Sequence, residues 1–400
     1  MVLSYGFGTI ALVHAMLFSG HQIAASFSFF SFFILYRLKE NRKRENTQRV
    51  LSFFAAGLLA GLAALADYTA MYIALCLTMY LFSLRLSLKE NVFFLSGGCL
   101  CVSLLAGYNY QCFDSPLSLS YGHLVEQDFS DGAKRGFLGV SLPDPMALFS
   151  LLFSPSRGLF FISPVLLYAL LGLYEMRKEY LRETVLIVML CVGYLIINSG
   201  FYGWHGGWSY GPRYLVPVLP FLVFPMVFCK EGFNKPFLVL FFLSFVQVSL
   251  AAFGVPHTPD RFTNPIVDFM VPLIEYGYVA KNVGNVLGIK WVYGALPVLL
   301  AVGGLICFAF FRLSPLEFPN PLWKKRAGLA SVALTVYILV KLSITPSGIA
   351  TDQNHIYKSN MLYMYSKVTN SEEVYIAGLQ EELKARNFLE GQEKAVLPVK

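Results

Sequence analysis

Residues 203–222 read GWHGGWSYGPRYLVPVLPFL, a run of aromatic rings, glycines and ionisable groups that joins two strongly apolar segments. Trp204, His205, Trp208, Tyr210, Arg213 and Tyr214 crowd together here, and Gly203, Gly206, Gly207 and Gly211 free the backbone to turn sharply or to approach a ligand. Pro212, Pro217 and Pro220 stiffen the start of the following helix and remove hydrogen bonds from it. The pattern predicts the aqueous rim of a membrane site. Tryptophan and tyrosine also gather at membrane interfaces as anchors, and an arginine at a helix end is usually solvated. Anchoring explains some of these residues but not the whole cluster with its glycines.

The surroundings of this stretch exclude a set of soluble domains. The chain has 400 residues, of which 56% are apolar, 16% aromatic and only 14% charged. Apolar runs long enough to cross a hydrocarbon core of about 30 Å recur through residue 345, and helices satisfy their own backbone there. The expected fold is all-α, a polytopic transmembrane helical bundle of about eleven spans over residues 1–345, with interfacial helices in outer loops and a short extracytoplasmic tail at 346–400. The net charge of +7 does not point to nucleic acid, because the basic residues sit in short loops between apolar runs. The bilayer itself is the implied partner. Seven cysteines, mostly inside apolar segments, show neither metal-ligand spacing nor a disulfide framework. The opening MVLSYGFGTIALVHAM has no basic leader or small-residue cleavage site, so no removable signal peptide is expected.

Taken in order, residues 2–36 are too long for one ordinary span and predict a hairpin of two short helices turning at Ser19, Gly20 and His21. Residues 51–84 predict a second hairpin, because a single span would send Arg85 and Lys89 outside and invert every later loop. Asp67 then sits at the outer face. A fifth helix near 91–110 leads to a long outer loop, in which PMALFSLLF at 145–153 suits an interfacial or re-entrant helix. A sixth span opens at SPSRGLFFISPVLL (154–167), a seventh covers about 184–200, an eighth follows the tryptophan stretch, and a ninth covers about 236–254. A tenth begins near Trp291 and an eleventh covers 327–345; beyond it, Thr369 and Glu372 resemble a capping box ahead of a short amphipathic helix reaching about Phe388. The five inner loops hold 17 Lys or Arg and the outer loops before the tail hold 7, which places the amino terminus inside and the tail outside.

The polar groups hardest to assign to anchoring all fall on the outer side: Asp67, Arg157, His205 and Arg213. Two arginines at separate helix ends suit an anionic phosphate, which the guanidinium fork holds bidentately. A carboxylate at the same level, Asp67, could take the proton of a hydroxyl nucleophile, although Asp is equally a favoured helix N-cap. His14 and His21 make no metal site without a third ligand, so no metal residue is assigned, no cofactor is identified, and a divalent cation is left open.

SPSRGLFFISPVLL and GWHGGWSYGPRYLVPVLPFL, preceded by YGFGTIALVHAMLFSGH and GLLAGLAALADYTA, give residues 5–225 a resemblance to the bacterial multi-pass GT-C glycosyltransferases, the superfamily of protein O-mannosyltransferases and lipid A aminoarabinose transferases. The resemblance implies transfer of a sugar from a polyprenyl-phosphate donor to an acceptor on the extracytoplasmic face of the inner (cytoplasmic) membrane, with inversion at the anomeric carbon. It implies Asp67 as the substitute catalytic base, Arg157 and Arg213 at the donor phosphate, and Trp204, His205, Trp208, Tyr210 and Tyr214 around the sugar. Such enzymes carry their catalytic acid in a first outer loop that has no counterpart here, so an amino-terminally shortened form is also expected. A lipid or solute transporter would place charges at mid-membrane in two related halves, and a non-catalytic envelope-assembly protein would need no site at all.

Overall fold

A computed structural model describes residues 1–40, 47–229, 235–260 and most of 262–289, with isolated positions beyond. The described residues are helical without a strand, apart from isolated bridges that join Val140 to Phe137 and to Phe201. Helices Thr47–Ala66, Leu88–Phe113, Leu181–Ser199 and Pro236–Gly254 are long and apolar enough to cross a membrane. The predicted tenth and eleventh spans and the tail lie outside the described residues, apart from those isolated positions.

The amino-terminal hairpin departs from its expected form. Val2–Gly8 (α1) and Ala11–Met16 (α2) are two short pieces, and Gly20–Glu40 (α3) alone is 21 residues long. The first break has a local cause: the Thr9 hydroxyl donates to the Tyr5 carbonyl (2.7 Å) and accepts from the Ala11 N–H (3.2 Å), replacing ladder bonds. The second break falls at the expected turn. There Ser19 N–H donates back to the His14 carbonyl (3.2 Å) across Phe18, whose φ is 49°.

The second hairpin breaks at Asp67. Thr47–Ala66 (α4) ends, Asp67 adopts an extended conformation and caps the 3₁₀ turn Tyr68–Ala70, and Met71–Ser83 (α5) returns along α4. Leu88–Phe113 (α6) begins with a capping box, Ser87 with Glu90. It packs on α4 through glycines at backbone contact distance. A Cβ on Gly57 would stand 1.8 Å from the Phe94 carbonyl oxygen, and one on Gly97 would stand 2.3 Å from that of Phe54.

The outer loop carries the short Gln127–Ala133 (α7) and then Pro145–Phe153 (α8), the expected interfacial segment, with Asp144 capping it through the Met146 N–H (2.9 Å). The sixth apolar run is divided into Leu159–Ile162 (α9), a 3₁₀ turn at Pro164–Leu166 and Leu167–Met176 (α10). Leu181–Ser199 (α11) is unbroken. After the tryptophan stretch, Pro217, Pro220 and Pro225 keep the eighth run in short pieces: 3₁₀ at Arg213–Val218, Leu219–Val223 (α12) and 3₁₀ at Phe224–Phe228. Lys235–Ser249 (α13) then continues as a π-helical turn, Leu250–Gly254.

The chain folds so that α3, α4 and α11 each run between two polar layers. At one end Glu183 is fully buried and its Oε1 accepts from Lys39 Nζ (2.9 Å) and Tyr80 OH (2.5 Å), while Arg49 Nε donates to Glu90 Oε1 (2.6 Å). At the other end lie His21, Asp67 and the glycine stretch. Between them Phe32, Phe53, Leu77 and Phe221 are wholly buried.

The α4–α6 contact gives a matched pair of variants. Gly57→Ala drives a methyl into backbone and is expected to cost about 1–3 kcal/mol or more. Gly107→Ala, which meets nothing within 4 Å, is expected to stabilise by about 0.5–1 kcal/mol. Thermal unfolding of the purified protein in detergent measures both.

Candidate functional site

The turn between α2 and α3 and the turn between α4 and α5 meet at one end of the bundle, where His21 Nδ1 lies 2.5 Å from Asp67 Oδ2. Asp67 Oδ1 accepts from the Thr69 N–H and hydroxyl, both at 2.9 Å, so one carboxylate caps a turn and orients an imidazole together. With Nδ1–H committed to Asp67, His21 keeps Nε2 as its basic nitrogen. The Thr69 hydroxyl extends the network to Tyr194 OH at 3.3 Å.

These groups form one wall of a cavity of about 540 Å³. His14, Leu17, Ser19, Gly20 and His21 come from the first turn, Leu65, Ala66, Asp67 and Tyr68 from the second, and Tyr121 from the outer loop. The glycine stretch supplies Trp208, Ser209 and Arg213, and His257 completes the lining. Among the described residues no carboxylate lies within ion-pair distance of Arg213. Its Nη2 donates to Tyr214 OH (3.0 Å), and the Tyr214 ring stands edge-on to His21 at 5.3 Å. Tyr214 therefore links the arginine to the histidine.

Arg157 has a different place. It is 2% exposed and outside the lining; Nη2 donates to the Gly207 carbonyl (2.7 Å), and Nη1 donates to those of Ser209 and Gly211. The guanidinium thus clamps the turn from beneath. The glycines let the turn take that shape: Gly206 and Gly211 both have φ of 74°, and a Cβ on Gly211 would also stand 2.9 Å from Ile10.

Of the residues expected around a sugar, Trp208 lines the cavity and is half exposed, and Tyr214 lies against His21. Tyr210 is fully buried among core side chains, and Trp204 and His205 lie outside the lining, packed edge-on at 6.1 Å. His205 Nδ1 accepts from the Gly207 N–H (3.1 Å) and stands 3.3 Å from Asp260 Oδ2. The bare nitrogen suits the first partner and the protonated nitrogen the second. His14, His21, Tyr68, Tyr121 and His257 are wall residues that the sequence reading did not assign to the site.

The electrostatics follow the geometry. Burial pushes the Asp67 carboxyl up, but the hydrogen bond and charge of His21, with the Thr69 donors, outweigh it and hold the group below the ordinary value of 3.8. Burial and the nearby Arg213 lower the Arg157 guanidinium to about 10 against the pull of Asp260, which leaves it charged at neutral pH. Burial lowers His205, and Arg157 and Arg213 add to that while Asp260 opposes it, so the neutral ring is favoured. Among the described residues no three His, Cys, Asp or Glu side chains group to hold a metal ion.

Comparison with known protein families, with curated proteins and with solved structures finds no match.

The Asp67 contacts give a signed pH dependence. A carboxyl held below 3.8 in the folded state contributes stability that is complete above that value and is lost as pH falls through the lower folded value. Wild type and Asp67→Asn are therefore expected to differ in melting temperature at neutral pH and to converge in strong acid. A constant difference down to the lowest attainable pH would contradict an ionised Asp67 in this network.

Proposed function

We propose that this chain is a multi-pass glycosyltransferase of the inner (cytoplasmic) membrane, moving a sugar from a polyprenyl-phosphate donor to an acceptor hydroxyl on the extracytoplasmic face. The observation that carries the reading is one cavity walled by Arg213, by the His21–Asp67 pair and by Tyr68, Tyr121 and Trp208. An arginine with no carboxylate partner among the described residues suits a phosphate, aromatic faces suit a sugar ring, and a carboxylate-oriented imidazole suits a general base. In this reading the basic loops face the cytoplasm, the bundle has about eleven spans, and the cavity opens outside. A carrier would hold its site near mid-membrane between broken helices; here the polar groups collect at the bundle end.

The chemistry divides among the residues as follows. The acceptor oxygen attacks the anomeric carbon as its proton passes to His21 Nε2. Asp67 does not touch the acceptor; it fixes the imidazole tautomer and stabilises the cation formed on it. The bond from the anomeric carbon to the phosphate oxygen breaks, and the polyprenyl phosphate leaves with the electron pair against Arg213. Arg157 acts through the backbone, holding the turn that presents Arg213 and Trp208.

The test is release of free polyprenyl phosphate, with water or an added alcohol taking the sugar, from a panel of polyprenyl-phosphate hexoses and pentoses by the protein reconstituted in liposomes. Arg213→Ala and His21→Ala are each expected to lower release about a hundredfold or more, and Asp67→Asn to lower it through kcat. Undiminished release by both of the first two variants would sink the assignment.

A further inference from the structure

Phe18 occupies a backbone position that its side chain does not favour. It is the residue after the C-cap of α2, with φ of 49°, and the Ser19 N–H closes the turn onto the His14 carbonyl at 3.2 Å. Glycine is the residue that fills this left-handed position without cost. A bulky residue there needs compensation, usually from packing of its ring. Phe18 has no such packing: it is 88% exposed, beside Met16 at 49%.

The turn that carries this ring also builds the cavity. His14, Leu17, Ser19, Gly20 and His21 all line it, so Phe18 is the exposed residue between two wall residues, Leu17 and Ser19. A ring meant only to anchor the chain in the bilayer could sit on any apolar helix face without a left-handed backbone. Its cost is explained if the ring is needed at this place. We propose that Phe18, with Met16, forms the hydrocarbon contact of the site: the isoprenoid chain of a lipid phosphate held at Arg213 leaves the cavity across this turn. The proposal rests on the reading of the cavity as a lipid-phosphate site, and it assigns the chain-recognising residue of that site.

The experiment measures binding of a long-chain polyprenyl monophosphate and of a two-isoprene analogue to the full chain in nanodiscs. Phe18→Gly relieves the backbone, so it is expected to melt at the wild-type temperature or higher. It is also expected to weaken the long-chain ligand about tenfold or more, the worth of one buried aromatic ring, while leaving the short one unchanged. Phe18→Leu, which keeps an apolar side chain, is expected to retain most of the long-chain affinity. Long-chain affinity within twofold of wild type in Phe18→Gly overturns the proposal and leaves the ring a bilayer anchor; equal losses for both chain lengths overturn it as well. Arg213→Ala separates the two readings. Loss of both ligands in that variant supports the phosphate site whatever Phe18 does, whereas failure of wild type to bind either ligand removes both readings together.

Discussion

A carboxylate taken out of water must be given partners, and the placement of Asp67 obeys that demand. Its two oxygens are divided between the Thr69 donors and His21, so the residue that stops one helical hairpin also grips the turn of another. Two turns distant in sequence are thereby fixed at one level of the bundle. The cavity is the space they leave with the glycine stretch. Because both turns are N-terminal to the helices α3 and α5, the positive ends of those helix backbones also face the polar layer.

The glycine stretch solves a second desolvation problem. Carbonyls in a tight turn have no helical partner, and Arg157 supplies donors to those of Gly207, Ser209 and Gly211. A lysine would offer a single point charge and could not span the turn in one plane. This assigns the two arginines to separate tasks: Arg157 spends its donors on the backbone and Arg213 keeps a face toward the cavity. Exposure separates them even though sequence spacing makes them look equivalent.

Much of the fold was legible because composition and turn chemistry act locally. The breaks at Ser19–Gly20 and at Asp67 and the helix at 145–153 follow from short motifs, and the structure has them there. The interruption at Thr9 was less legible, since a single threonine changes helix type without changing hydropathy, whereas the prolines at the start of the eighth run already marked its lost hydrogen bonds. Within the site, Asp67, Trp208 and Arg213 were readable as polar or aromatic groups at predicted turns. His21 was visible only as half of an incomplete metal pair with His14, although its position in the first turn and that of Asp67 in the second already put both on one face. Tyr210 was expected beside a sugar; Trp208 and Ser209 before it line the cavity, but its own side chain is fully buried in the core.

The two polar layers differ in how their charges are paired. In the layer of Lys39, Tyr80 and Glu183, a lysine and a tyrosine converge on one oxygen of the buried carboxylate, and Arg49 is matched by Glu90. Charges there balance within the protein and bind helices together, as buried pairs do when opposite partners lie at contact distance. In the cavity layer the acid is hydrogen-bonded to an imidazole, and the arginine has an aromatic hydroxyl beside it but no acid among the described residues. That layer leaves the Arg213 guanidinium beside an open space, an arrangement that an anionic ligand would complete. A bundle held only by packing and internal pairs would have no reason to leave one end in that condition.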